Sequence, residues 1–176
     1  MTTPATASPS DPPPPGARQQ RAAVYGICLD GEFEADGNGN ATGTGRPVAR
    51  VLLVRAAPHL TVAGQWFLPG GGLDHGEDPV DGLRREFEEE TGLEITPGPL
   101  LGIISDVFIL PDTDHTSLHS LRIIYGVAGF TGELRDEIGG SSDTARWVPL
   151  DEAMDLPLRP YVRRALTELR GGPDGR

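Results

Sequence analysis

Apolar positions recur along the chain with two different periods. Ala22 to Leu29 and Val48 to Ala56 are short, β-branched apolar runs that read as strands. Trp66 to Leu68 make a brief strand. Leu100 to Leu110 and Leu121 to Phe130 read as two more, neighbours across the loop PDTDHTSLHS, and Ala145 to Leu150 form a last short one. Elsewhere the spacing is helical. Val80, Leu83 and Phe87 share one face of a helix that starts at Asp78, placed as N-cap, with Pro79 at the first helical position. Gly92 stands where that helix ends, a favoured site for a left-handed cap. Val162, Leu166 and Leu169 mark a second amphipathic helix over Arg159 to Leu169. Mixed strands with two helices set apart along the chain predict an α/β fold, a central sheet sandwiched between helices.

The organisation is that of one domain with loose ends. At 176 residues the chain is long enough for one substantial core. Residues 1–20, MTTPATASPSDPPPPGARQQ, are rich in Pro, Ser and Thr and nearly free of large apolar side chains, so they read as a disordered tail. The domain is expected over 21–170, with 171–176 a flexible C-terminus. Between the first two strands, GEFEADGNGNATGTGRP is a flexible, turn-rich connection. Its glycines are not followed by the lysine-serine or lysine-threonine pair of a phosphate-binding P-loop.

Charge narrows the partners. A net charge of −11 disfavours a nucleic-acid polymer, whose binding needs a basic stripe that releases counterions. Every cationic side chain is arginine, which we attribute to coding bias rather than to selection for forked phosphate contacts. No run approaches the roughly 18 apolar residues of a membrane span, and the start lacks the layout of a secretory signal. The single cysteine, Cys28, excludes an internal disulfide and fits a reducing compartment. These features together predict a soluble, cytoplasmic protein without membrane partners.

The chemistry concentrates in GGLDHGEDPVDGLRREFEEETGL, Gly71 to Leu93. Glu86, Glu89 and Glu90 fall within a roughly 100° arc of one helical face. Like charges so placed destabilise a bare helix, and a cation that cancels the repulsion explains the cluster; hard carboxylate oxygens suit Mg²⁺ or Mn²⁺. Read blandly, the same run is a solvated acidic helix, which leaves Gly70, Gly71 and Gly72 after Trp66-Phe67-Leu68-Pro69 without a purpose.

This segment closely resembles the signature of the Nudix hydrolases: G, five residues, E, seven residues, then R-E-hydrophobic-x-E-E-x-G-hydrophobic. Gly71, Glu77, Arg85, Glu86, Phe87, Glu89, Glu90, Gly92 and Leu93 all match. Seven of these demand one residue type, a chance match on the order of 10⁻⁸ per starting position. The resemblance implies a Nudix-like α/β/α sandwich around a central mixed β-sheet. It implies that Glu86, Glu89 and Glu90 hold Mg²⁺ or Mn²⁺, helped by the carbonyl of Gly71. Arg85 and Glu77 are read as supports, Arg85 orienting carboxylates through its planar fork. The general base is either Glu89 or Glu90, or an acid of the downstream segment DEIGGSSDTARW, where Glu137 and Asp143 are the candidates.

Other residues carry weaker signals. His115 and His119 would suit a metal only if their loop were helical, and the surrounding Ser, Thr, Asp and Pro argue for a turn. His75 lies in the signature loop, within reach of a phosphate or simply at a variable position. Trp66 and Phe67 either stack a base or fill the core. Cys28 sits in an apolar strand with no paired histidine, which argues against a nucleophile or a cleft cysteine of an isoprenyl-diphosphate isomerase.

The expected activity is that of a metal-dependent pyrophosphohydrolase acting on a small diphosphate-containing substrate: a nucleoside triphosphate, ADP-ribose or another nucleotide sugar. The alternative is a catalytically silent ligand-binding or sensing domain on the same fold. Substrate identity stays open, and a homodimer is compatible with the resemblance.

Overall fold

The computed structural model describes residues 18–30, 49–110 and 116–171. Residues 1–17, the whole glycine-rich connection, residues 111–115 with His115, and residues 172–176 lie outside them. The described chain runs β1 (Arg18–Ile27), β2 (Leu29–Asp30), β3 (Arg50–Ala56), β4 (Trp66–Phe67), β5 (Gly70–Gly72), α1 (Pro79–Thr91), β6 (Glu94–Ile109), β7 (Ser117–Thr131), β8 (Ser142–Pro149), α2 (Leu150–Ala153) and α3 (Pro160–Gly171).

The mixed sheet has the order β5-β1-β7-β6, with β1 antiparallel to β5 but parallel to β7. A second, antiparallel sheet gathers β2, β4 and β8 around β3. Only Cys28 separates β1 from β2, so one stretch of chain feeds both sheets.

Side-chain alternation divides the interior. Ile27, Val51, Leu53 and Ile124 face Val162, Ala165 and Leu166 of α3. Val24, Cys28 and Leu52 face Leu83 and Phe87 of α1, with Ile123 packed against the same cluster. Period-two strands thus send neighbouring residues to opposite helices, which is the α/β/α sandwich. Leu83 and Phe87 are fully buried, worth roughly 1.5–3 kcal/mol each, and this apolar side fixes the roll of α1.

Several boundaries differ from those the sequence predicts. β1 begins at Arg18, so Arg18, Gln19 and Gln20, read as tail, pair with Ser117, Leu118 and His119 instead. Their side chains are polar and exposed, and only the ladder with β7 makes them strand. β6 starts six residues early, at Glu94, running through Pro97 and Pro99. It lies at the end of the sheet order, and the register breaks at Thr96/Pro97 and Pro97/Leu100, the irregular edge positions where a missing N–H is tolerated. Among the described residues no helix is long and apolar enough to cross a membrane.

Candidate functional site

Local sequence builds the platform. Asp78 caps α1, its carboxylate accepting the Val80 N–H at 2.8 Å, Pro79 follows, and Gly92 closes the helix in the left-handed region at φ 72°. Ahead of the helix, β5 pairs with β1 so that Val24 stands opposite Gly71 and Tyr25 opposite Gly70. Gly70 has φ 135°, and a Cβ there would fall 2.2 Å from the Val24 carbonyl oxygen. At Gly71 a Cβ would strike the Glu86 carboxylate at 2.5 Å, so the bare backbone lets that carboxylate lie against the loop.

The three clustered glutamates have separate surroundings. Glu90 is buried, 1% exposed; one carboxylate oxygen accepts the Gly70 N–H at 2.8 Å and the other the Ser141 hydroxyl at 3.2 Å. Glu86 is partly buried beside Gly71 and accepts from Arg85 at 2.9 Å. Glu89 stands at the exposed rim, 3.3 Å from Arg85. The expected convergence of Glu86, Glu89 and Glu90 on one point is therefore absent from this conformation, and among the described residues no three His, Cys, Asp or Glu side chains are grouped to hold a metal. Arg85 supplies the reason at Glu86 and Glu89, and the Gly70 amide supplies it at Glu90.

Arg85 is the hub of the exposed side. Its guanidinium forks onto Glu77 at 2.8 and 2.9 Å while also reaching Glu86, Glu89 and the Gly72 carbonyl. Glu77 in turn accepts the Asp74 N–H, and these bonds hold its carboxyl at about 2. Arg85 and Glu77 thus form a two-pronged ion pair, from which Arg85 also reaches Glu86 and Glu89.

Burial raises the proton affinity of both Glu86 and Glu90, and Glu137 raises it further at each. The Glu137 carboxylate itself accepts the Ser142 N–H and hydroxyl at 2.9 and 3.0 Å. The other downstream acid is engaged elsewhere: Asp143 makes a two-pronged pair with Arg55 at 2.8 and 3.1 Å. The carboxylates of Glu86, Glu89 and Glu90 are hard oxygen donors of the kind that suits a divalent cation such as Mg²⁺ or Mn²⁺, and like charge raises the proton affinity of Glu86 and Glu90.

The remaining candidates are placed elsewhere. His75 is exposed in the loop. His119 lies 2.9 Å from the Ser105 hydroxyl and 3.2 Å from Gln20. Trp66 is core, flanked by Arg55 and Arg146, whereas Phe67 lines a cavity. Cys28 is buried under α1, its thiol pushed up to about 12 by burial, which rules out a nucleophile in the cleft.

That cavity, about 210 Å³, opens beside Gly70 and Gly71. Three arginines line it, Arg21, Arg122 and Arg159, together with Tyr25, Phe67, Phe108 and Tyr161. None of the three arginines stands out in the sequence, because they come from β1, β7 and the turn before α3; the inward alternation at Arg122 between Leu121 and Ile123 is the one local signal.

An α/β/α sandwich with a glycine loop bonded to an acidic helix defines the class of protein. The chain belongs to the NUDIX domain family, whose family model matches residues 41–169. It is 30% identical over 97 residues to the uncharacterized Nudix hydrolase YvcI of Bacillus subtilis, covering 55% of this chain and 59% of that protein. It is 32% identical over 126 residues to the putative 8-oxo-dGTP diphosphatase 3 of Mycobacterium tuberculosis, covering 70% and 55%. The match thus spans less than two thirds of these relatives. Among solved structures, the MutT NUDIX hydrolase from Burkholderia pseudomallei superposes with a TM-score of 0.62 at 24% identity, covering 86% of this chain and 98% of that one. The NUDIX domain of Shewanella oneidensis NrtR, complexed with ADP ribose, gives 0.64 at 19%, covering 86% and 87%. At these identities the two structures establish the fold alone.

Proposed function

We propose that the protein is a metal-dependent pyrophosphohydrolase that cleaves the phosphoanhydride link of a small nucleoside diphosphate derivative. The observation that carries this reading is that one loop meets both kinds of charge: Glu90 accepts from the Gly70 N–H, Glu86 lies against Gly71, and the same two glycines line a cavity with Arg21, Arg122 and Arg159. Glu86, Glu89 and Glu90, with the Gly71 carbonyl, would hold Mg²⁺ or Mn²⁺. Such an ion neutralises charge on phosphoryl oxygens and lowers the pKa of water. Arg85 keeps Glu86 and Glu89 oriented while Glu77 steadies Arg85. Of the two downstream acids Glu137 is our candidate for the base, a reading supported by the engagement of Asp143 with Arg55 and by the charge that Glu137 adds at Glu86 and Glu90.

The net charge of −11 speaks against a nucleic-acid polymer as substrate, and the unpaired, buried Cys28 supports a reducing, cytoplasmic location. The test is hydrolysis of a panel of diphosphate compounds with Mg²⁺ or Mn²⁺, followed as released phosphate after phosphatase coupling. Glu89→Gln and Glu90→Gln each remove charge with little change in volume, and turnover is expected to fall about 100-fold or more. Full activity in both variants would overturn the assignment, and absence of turnover in the unaltered protein would leave a ligand-binding domain.

A further inference from the structure

We propose that the outer edge of β6 pairs with the same edge of a second copy of this chain, antiparallel about a two-fold axis at Ser105, so that two four-stranded sheets join into one continuous sheet. The pairing stands independently of any hydrolytic activity.

β6 closes the sheet order β5-β1-β7-β6, and one side of its backbone has no neighbouring strand among the described residues. Proteins usually protect such an edge with prolines, bulges or charged side chains. Here the protection is confined to one end. Pro97, Pro99 and all three register shifts lie between Thr96 and Gly102, whereas from Gly102 to Ile109 the ladder with β7 is unbroken. In that regular stretch Ile103, Val107 and Ile109 are 59%, 63% and 55% exposed. With Ser105 they stand at alternate positions and form a row on the face that carries α1, where Ile123, opposite Ile103, joins the α1 cluster. Leu101, set aside from the row by a register shift, lines a groove of about 420 Å³ with Leu169 of α3, so the edge is apolar on both of its sides.

Charge selects the occupant. A chain of net −11 repels its own copy wherever acidic groups face one another. Between Leu101 and Ile109 the sole charged residue is Asp106, which is ion-paired with Arg122. Glu168, beside the groove, is paired with Arg164. Two copies therefore approach along this edge without a charge penalty, and the same edge offers a strongly charged peptide no counter-charge. Length agrees as well. From Leu101 to Ile109 the strand runs roughly 30 Å at about 3.3 Å per residue, and a patch of about 800 Å² per partner, the size of a standard interface, is about as wide.

Symmetry sets the register. A two-fold axis normal to the sheet keeps each face on its own side, so the row of one copy meets the row of the other. An axis at Asp106 would set two carboxylates opposite each other. An axis at Ser105 sets Ile103 against Val107 on both sides of the centre, places Asp106 opposite Ile104, and leaves only small side chains where each copy meets itself.

Sedimentation equilibrium of the full chain tests this, with twice the 18.7 kDa monomer mass expected at micromolar concentration. Val107→Arg should weaken self-association about a hundredfold or more while the far-UV circular dichroism stays unchanged, because the side chain already stands largely in solvent; Val107→Ile should keep the dimer. Ser105→Cys should yield a covalent dimer with a short thiol-specific cross-linker. Glu94→Cys, at the far end of the strand, should not, nor should the unaltered protein, whose one cysteine is buried. A monomer at every concentration would overturn the pairing and leave the edge to a strand of another protein. A dimer untouched by Val107→Arg would overturn it by placing the interface elsewhere, and cross-linking through Glu94→Cys rather than Ser105→Cys would refute the axis.

Discussion

Glu90 accepts the backbone N–H of Gly70 at 2.8 Å, joining α1 to the glycine loop across 20 residues of sequence in a setting from which water is excluded. The bond couples stability to the site. Burial and the nearby charges of Glu86 and Glu137 raise the proton affinity of Glu90, and the amide donor works against them. A neutral side chain of the same shape is consequently well matched to this position.

Glu90→Gln is expected to keep most of the folding stability, because its amide oxygen still accepts from Gly70 and its NH₂ meets the Ser141 hydroxyl. Glu90→Ala leaves the Gly70 N–H buried without an acceptor and should cost about 1–3 kcal/mol. Urea unfolding of the two variants decides the matter, and equal losses would contradict the role given to this bond.

The Glu77–Arg85 pair predicts an acid-sensitive share of stability. Arg85, and then the Asp74 amide, hold the Glu77 carboxyl at about 2 in the folded chain against an ordinary 4.5. A carboxylate depressed on folding adds stability above its unfolded pKa, and that share is lost as pH falls toward the folded value. The window for Glu77 accordingly runs from about 4.5 down to about 2. Unfolding midpoints of the unaltered protein and Glu77→Gln should differ at pH 6 and approach each other below pH 4. A gap that stays constant with pH would show that Glu77 does not act through its charge.

Cys28 should be chemically silent while the chain is folded. It is 1% exposed, and burial pushes its thiol to about 12, so little thiolate exists at pH 8. Iodoacetamide is expected to leave it unmodified in buffer and to alkylate it fully in denaturing urea, as read by mass spectrometry. Rapid labelling of the folded protein would mean that the region under α1 opens.

Local regularities were enough to mark both long helices, most strands and the signature loop. Asp78, Pro79 and Gly92 act within a few bonds of the backbone they cap, and the spacing of Leu83 and Phe87 is set by the helix itself, so these positions are legible in one dimension. The pairing of Arg85 with Glu77 was within reach for the same reason, the two lying close along one segment. Extension of β1 back to Arg18 and of β6 to Glu94 was not, because polar and proline-containing stretches became strand only through their ladders with β7.

The three glutamates look alike on a helical wheel, yet packing sent Glu90 under the loop, laid Glu86 against Gly71 and left Glu89 in solvent. The roll of α1 about its axis follows from what Phe87 and Leu83 meet on the sheet, and no spacing rule contains that contact. Arg21, Arg122 and Arg159 likewise come from distant parts of the chain and share a cavity only once β1, β7 and α3 have assembled. Spacing along one element reports which side chains share a face; what that face touches is settled by partners far away in sequence.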